Sequence, residues 1–431
     1  MSAELVLLIG SLFFFAGIGM PIAYAIIIAS ILYVATGGQS IGIIGKNLVD
    51  GIYQSFLLLA VPLFIVAANI MNAGTISDRL LNFCVATVGR FKGGLGHVNV
   101  MASLIFSGMS GSAVADAAGI GKIIIDMMTK QGRYTPGYAA AITAASATIG
   151  PIIPPSIPMV LYALVSNASI GHLFLGGILP GLFMGGVLMA MNGYLAHRRG
   201  FGEEVAVPLR DLPKVTVNAF PALLMPAILL YGIYGGVTTP TEAAAVAAAY
   251  ALLLASVFYR ALKLGALYRI LVDSARSSAA VGLVIGGALI LNYIVASENI
   301  PGMMASALVG LDVPPILFLL GVNLVILLLG CVLDATTIIL VIIPLFLPTC
   351  RELGIDLVHF GVVAVVNCMI GLITPPYGIL LFVINAVTGI PLAAIIREIW
   401  AFLAVLVVAL LLLILVPDIV LFLPRLMGYD G

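Results

Sequence analysis

A seven-residue pattern that breaks helices occurs twice in this chain. Ile149-Gly150-Pro151-Ile152-Ile153-Pro154-Pro155 and Ile370-Gly371-Leu372-Ile373-Thr374-Pro375-Pro376 both read I-G-x-I-x-P-P, 221 residues apart, and both lie inside long apolar stretches. A proline within a helix has no N–H for the carbonyl four residues back, and its ring clashes with that carbonyl. Pro154 is therefore expected to free the carbonyl of Gly150, and Pro375 that of Gly371. In hydrocarbon, irregular backbone is tolerated only where it is buried in protein or lines a cavity. A proline kink would account for either copy alone. Matched breaks in two halves of one chain point instead to a transport site near the membrane midplane.

Composition places these breaks in a bilayer. The 431 residues are 62% hydrophobic and 8% charged, with a mean hydropathy of +1.24. Soluble domains carry roughly 25% charged residues, and many apolar runs here approach the ~20 residues that span a bilayer. The chain reads as an integral membrane protein. Its net charge of zero gives no sign of a nucleic-acid partner. Cys84, Cys331, Cys350 and Cys368 are scattered without a C-x-x-C and read as apolar packing residues. His97, His172, His197 and His359 are isolated, so no metal cluster is expected. No basic n-region or small-residue cleavage site accompanies the first apolar run, which is expected to remain as a helix. Long polar loops are absent, so no attached soluble domain is expected.

In chain order, residues 3–19 and 21–36 are expected as short crossings separated at Gly17–Pro21, followed by a crossing over 51–73. Residues 76–92 are amphipathic, with Ser77 and Asp78 as N-cap candidates, and read as an arm along the interface. Ser103–Asp116 is a run of small and polar residues between Lys92 on one side and Lys122, Lys130 and Arg133 on the other. Basic flanks mark the cytoplasm, so this segment enters and leaves on one side as a re-entrant hairpin with its tip near Ser107–Ser112. A small-residue packing face is the alternative. A broken helix over 136–165 follows. A crossing over 172–196 ends at His197-Arg198-Arg199, and a polar linker runs to Lys214.

The second half repeats this order. Crossings over 217–235 and 241–259 are split by Gly235–Glu242, and Arg260, Lys263, Arg269 and Arg276 mark the cytoplasm. Residues 278–296 cross outward, and 301–312 form a second arm. Residues 315–349 hold a second hairpin with its tip at Gly330–Thr337, flanked by Glu298, Asp312, Glu352 and Asp356, which suits the outside. A broken helix over 357–387 and a last crossing over 398–424 complete the chain. The expected fold is an all-α polytopic membrane protein, an inverted repeat with two re-entrant hairpins, two broken helices and both termini outside. Its expected divisions are scaffold helices and arm (1–92), hairpin 1 with its broken helix (93–170), a connecting helix and linker (171–216), scaffold and arm (217–312), hairpin 2 with its broken helix (313–390) and a C-terminal helix (391–431).

Inverted halves of this kind place a site between the hairpin tips and the helix breaks. Its residues are oxygen ligands suited to a hard monovalent cation. Around hairpin 1 these are Ser107, Gly108, Ser110, Ser112, Gly150, Ile153 and Ser156; around hairpin 2 they are Gly330, Asp334, Thr336, Thr337, Gly371, Thr374 and Tyr377. Half-helix N-termini supply the opposite pole for a carboxylate. Asp334 is the one acid expected at a tip, either as a ligand or as the cap of a helix beginning at Ala335. Asp116, Lys122 and Asp126 read as a solvated or paired helix face with no direct role. Glu242 reads as a helix cap.

The segments Ser107–Asp116, Ile149–Ser156, Gly235–Ala245 (GGVTTPTEAAA) and Ile370–Tyr377 together resemble the large membrane subunit of tripartite ATP-independent periplasmic (TRAP) transporters of the dicarboxylate and sialic-acid type. The resemblance covers essentially the whole chain. It implies an elevator-type secondary transporter of the bacterial inner membrane, with Na+ as coupling ion and no other cofactor. It implies two protein partners: a small four-helix membrane subunit and a soluble periplasmic substrate-binding protein that delivers a small organic anion. Hairpins and broken helices would form the moving domain, and the other helices a lipid-embedded scaffold. One sodium would sit between hairpin 1 and Gly150, with Ser107, Gly108 and Ile153. A second would sit between hairpin 2 and Gly371, with Gly330, Thr337, Thr374 and Tyr377. The substrate would touch Ser110, Ser112, Ser156 and Asp334. Ile153 stands opposite Thr374, so the halves are not symmetric, and no arginine falls in the expected site.

Other readings are less well supported. A stand-alone sodium/dicarboxylate symporter of the same architecture would be expected to carry extra scaffold helices. A channel would need a pore-lining charge ring. A membrane enzyme would need a nucleophile–base pair or a metal cluster. An ATP-driven pump would need G-x-x-x-x-G-K-[ST], which does not occur.

Overall fold

The structure is a computed structural model that describes residues 3–38, 40–53, 56–72, 75–132, 134–201, 208–300, 302–303 and 314–431. Among the described residues every regular element is a helix, and 6 helices are long and apolar enough to cross a membrane. The chain is an inverted repeat with two re-entrant helical hairpins and two broken helices.

The outer helices follow the apolar runs, with local departures. Ala3–Gly17 and Ile22–Thr36 pack against each other across a turn at Gly19, where φ is +87°. At 15 residues each, they reach only about 22 Å. The expected single crossing over 51–73 is instead three pieces: Gly42–Tyr53, a short 3-10 turn Phe56–Leu59, and Ala60–Met71. Pro62 lies in the first turn of the last piece, where its missing N–H has no intrahelical partner to lose. Lys46 lies within the first of these pieces. The arm helix begins at Thr75, so Ser77 and Asp78 lie in its first turn instead of at its cap. Asp78 there still faces the positive end of the helix dipole.

In the second half, Thr239 and Glu242 form a reciprocal capping box at the start of Pro240–Leu253, as the cap reading of Glu242 expects. The basic stretch expected as a cytoplasmic loop is largely helix: Leu264–Ser297 runs for 34 residues and carries Arg269 and Arg276. Positive charge marks the compartment without ending the helix. The expected arm over 301–312 lies, apart from Gly302 and Met303, outside the described residues, as do Arg133 and Asp312. The last crossing is Leu392–Leu415, and Asp418–Leu426 is a separate short helix after Pro417.

Two groups of helices emerge from the packing. The first hairpin (Gly94–Ser110 and residues 113–129) lies on the broken helix Pro136–Ala147, and the second (Pro315–Gly330 and residues 335–352) lies on Leu357–Gly371. Ile170–Arg199 and Leu392–Leu415 pack on this same body. Around it stands a frame in which Ala60–Met71 meets Pro240–Leu253, Leu264–Ser297 meets Ile22–Thr36, and Leu212–Tyr234 meets Thr75–Val88. Residues 137–147 and 358–371 are buried on every side. The two first halves of the broken helices are therefore the centre of the molecule, not amphipathic surface helices.

Candidate functional site

Each hairpin tip touches the break of its own broken helix. Gly94–Ser110 ends at Gly111, whose φ of +56° favours glycine. A Cβ there would also lie 2.5 Å from the carbonyl oxygen of Pro155. Ser112 then caps the returning arm, accepting from the Ala115 N–H at 3.3 Å. In the break, Ser156 caps Ile157–Ser166, accepting from the Met159 N–H at 3.2 Å and donating to the Pro151 carbonyl. Two serine-capped helix starts thus converge on the first tip. The Pro154–Pro155 and Pro375–Pro376 bonds are both cis.

The second half repeats the contact with different chemistry. Gly330 and Gly371 meet backbone to backbone: a Cβ on Gly330 would lie 3.1 Å from the Gly371 Cα. The Gly378 N–H donates to the Cys331 carbonyl at 3.2 Å, tying tip to break. Asp334 caps the returning arm, as the cap reading expects. Its Oδ2 accepts from the Thr337 N–H at 3.1 Å and its Oδ1 from the Thr337 hydroxyl at 2.5 Å. The Thr374 hydroxyl is turned to the Ile370 carbonyl at 2.8 Å. The Gly371 carbonyl, expected to be free, accepts from the Thr374 N–H at 3.0 Å. The chain tightens into a turn as the helix ends and supplies that partner locally. Tyr377 is 50% exposed, and its ring lies 4.8 Å from the Phe382 ring.

One residue that the sequence reading set aside is central here. Asp116 is 2% exposed, not solvated. Its Oδ1 accepts from the Ser110 hydroxyl at 2.5 Å, and its Oδ2 has no partner among the described residues. That free oxygen faces the break: a Cβ on Gly150 would lie 2.7 Å from it. Lys122 and Asp126 are exposed, as expected. Of the other residues around hairpin 1, Ser107 donates to its own helix at Leu104, 2.5 Å away. Gly108 allows close approach of the frame, since a Cβ there would lie 2.5 Å from Pro226 Cγ. The Ile153 side chain packs toward Gly181, which leaves its main chain as the only group it can offer.

Behind each tip a buried polar bridge joins the hairpin to its broken helix. Ser103 donates to Ser146 at 3.0 Å in the first half, and the Asn367 amide donates to Asn323 Oδ1 at 2.9 Å in the second. Both returning arms also carry a π-turn, Ala117–Gly121 and Ile338–Ile342, at the 221-residue offset of the sequence repeat. Such turns gather at functional sites because they re-aim side chains.

The tips open on a cavity of about 440 Å³, walled on one side by Ser110, Ser112, Asp334 and Thr336 and on the other by the frame. A larger cavity of about 700 Å³ lies between Asn167–His172 and Tyr234–Pro240 and touches neither tip. Among the described residues no group of three His, Cys, Asp or Glu side chains is placed to hold a metal ion.

Comparison with known proteins agrees with this architecture. The family model described as "Tripartite ATP-independent periplasmic transporter, DctM component" matches residues 9–419. The sialic acid TRAP transporter large permease protein SiaM of Vibrio cholerae is 40% identical over 427 residues, covering 98% of this chain and 100% of that protein. The C4-dicarboxylate TRAP transporter large permease protein DctM of Pseudomonas aeruginosa is 39% identical, covering 87% of this chain and 88% of that one. The solved YdaH transporter of Alcanivorax borkumensis superposes with a TM-score of 0.62 at 16% identity over 86% of each chain, a likeness of fold alone. With nearly its whole length matched, the chain belongs to the DctM-component family of TRAP transporters, which are multi-pass transport permeases and not enzymes.

Proposed function

We propose that this permease imports a small organic anion across the bacterial inner membrane by sodium-coupled, elevator-type transport, taking the anion from a periplasmic binding protein and working with a small membrane subunit. The observation that carries the reading is Asp116: a buried carboxylate oxygen with no partner among the described residues, aimed at the first helix break. An ionised oxygen in that position needs a cation. Sodium, a hard cation, would be held there by Asp116 and the backbone at Gly150, with Ser110 fixing the carboxylate. A second sodium would be held between Gly330, Gly371 and Thr374, next to Asp334.

This arrangement explains how an anion is bound without a basic side chain. Among the described residues no Lys or Arg lines the cavity between the tips. Two carboxylates near the tips repel an anion until sodium offsets their charge. The capped helix starts at Ser112 and Ser156 then present N–H groups of positive polarity toward it. Sodium first and anion second is the order this charge balance favours. Movement of the hairpin body against the frame would carry both across the membrane. The relatives named for sialic acid and C4-dicarboxylate supply the candidate solutes.

The test is uptake of radiolabelled sialic acid and of a C4-dicarboxylate into proteoliposomes holding this chain and its small subunit, with and without an inward sodium gradient and a binding protein. Uptake that requires both supports the reading. Uptake that requires sodium alone favours a stand-alone symporter, and uptake indifferent to sodium refutes the ion sites.

A further inference from the structure

The cavity between the tips has a second wall, and that wall is not merely a sliding surface. On the frame side it is lined by Ile65, Ala68 and Val281, together with two polar residues, Asn69 and Ser277. Asn69 lies near the end of Ala60–Met71 and Ser277 within Leu264–Ser297, so the two come from different helices. A polar side chain on an otherwise apolar wall in the membrane is costly unless something pairs with it.

The hydrogen bonding fixes how Asn69 faces that cavity. The Ser274 hydroxyl donates its one proton to the Ile270 carbonyl at 2.7 Å. Its oxygen can then only accept, so the Asn69 group 2.8 Å away must be the amide nitrogen. Ser274 is 1% exposed, so it acts as a buried peg that orients the amide. One amide N–H is spent on this peg. The second N–H and the carbonyl oxygen are left for the cavity that Asn69 lines, with the exposed Ser277 hydroxyl beside it on the same wall.

We infer that Asn69 and Ser277 are the frame-side half of the solute site and that they select for a carboxylate bearing hydroxyl groups over a bare dicarboxylate. This rests on the transport reading above. The selectivity follows from the groups on offer. An amide oxygen accepts from a solute hydroxyl but repels a carboxylate oxygen, whereas the N–H and the serine hydroxyl serve either. The hairpin tips, with helix starts and hydroxyls, hold the carboxylate end. The frame reads the remainder of the molecule in the conformation seen here. Ser274 is a positioning residue that acts through Asn69.

The experiment uses the chain with its small subunit in proteoliposomes and measures KM and Vmax for sialic acid and for a C4-dicarboxylate in the wild type, Asn69→Ala and Ser277→Ala. Each variant is expected to raise the KM for sialic acid by roughly threefold to tenfold, the worth of a hydrogen bond. Asn69→Ala should raise the KM for the C4-dicarboxylate by less, because the amide oxygen it removes serves only a solute hydroxyl, whereas Ser277→Ala should raise both KM values alike. Ser277 is exposed, so if Asn69→Ala fails to assemble, Ser277→Ala still tests the frame-side contact, and unchanged KM values for both solutes there would overturn the inference. In Asn69→Ala, equal changes for the two solutes, or a fall in Vmax alone, would mean that Asn69 only bridges two helices, and would overturn the inference. A wild type that carries the C4-dicarboxylate but not sialic acid overturns the selectivity while leaving the transport reading intact. A wild type that carries neither overturns both.

Discussion

Gly371 stands directly against Gly330: a Cβ on Gly371 would lie 2.7 Å from the Gly330 Cα and 2.8 Å from its carbonyl carbon. The end of the broken helix and the hairpin tip are backbone on backbone, and no side chain fits between them. Gly371→Ala must push the two apart. Overpacking of this kind costs about 1–3 kcal/mol, and here it also displaces the backbone of the second ion site. A lower melting temperature in detergent and at least a tenfold loss of sodium-driven uptake are expected. Wild-type uptake by Gly371→Ala would show that the close approach is dispensable.

Asp116 and Asp126 lie ten residues apart on the same hairpin arm, one buried and one exposed. Asp116→Asn keeps the shape and a partner for Ser110 but removes the charge that faces Gly150. The sodium concentration for half-maximal uptake should rise more than tenfold. Asp126→Asn should leave it unchanged. A sodium titration of uptake in both variants separates a cation site from a general effect of charge on the arm; equal curves would place the ion elsewhere.

The Asn367–Asn323 bridge makes a prediction about stability alone. Asn367 donates to both the Asn323 carbonyl, at 2.6 Å, and its Oδ1, at 2.9 Å, in a site where Asn367 is fully buried. Replacing only Asn367 by Leu strands the Asn323 side-chain oxygen, which costs about 1–3 kcal/mol, while the Asn323 carbonyl lies within the helix Pro315–Gly330. Replacing both by Leu removes that stranded oxygen as well. The double variant is therefore expected to melt closer to wild type than Asn367→Leu does. Thermal unfolding of the two single variants and the double variant measures this directly. A double variant that melts lower than either single variant would show that the bridge has a role beyond satisfying its own atoms.

The parts of this fold that were legible in the sequence are those with a local physical cause. Gly150-Pro151 and Pro154-Pro155 break a helix wherever they occur, and Gly111 must turn because only glycine takes its φ readily. The capping box at Thr239 and Glu242 is likewise a four-residue matter. What stayed hidden depends on faces. The sequence reading groups Asp116 with Lys122 and Asp126 as a solvated or paired helix face, yet a spacing of six residues is not the three or four that places side chains on one helix face. The π-turn at Ala117–Gly121 shifts the register further. A signal was available: Asp116 lies 221 residues before Thr337, which itself bonds to the tip acid Asp334. Each half therefore pairs an acid with a hydroxyl near its tip, but in the second half the acid itself caps the arm, whereas in the first a separate serine, Ser112, does. The extent of Leu264–Ser297 is hidden for another reason, since charge reports the compartment and not where a helix begins.

Asn192 holds the start of the first hairpin, and this contact makes a prediction about sign. Its Oδ1 accepts from the Tyr138 hydroxyl at 2.8 Å, and its Nδ2 donates to the Gly93 carbonyl at 3.1 Å. Gly96 is pressed against the same side chain: a Cβ there would lie 2.6 Å from Asn192 Cγ. Asn192→Ala takes the acceptor from the buried Tyr138 hydroxyl, at about 1–3 kcal/mol, while the Gly93 carbonyl keeps the Gly96 N–H at 2.9 Å. Gly96→Ala alone drives a methyl group into the amide. In the Asn192→Ala background that methyl group enters the space the amide has left, so the second substitution should cost little. Neighbours in contact depart from additivity in this way, whereas distant sites add. Melting curves for the two single variants and the double variant read out the coupling, and simple addition of the two losses would contradict the contact between Gly96 and Asn192.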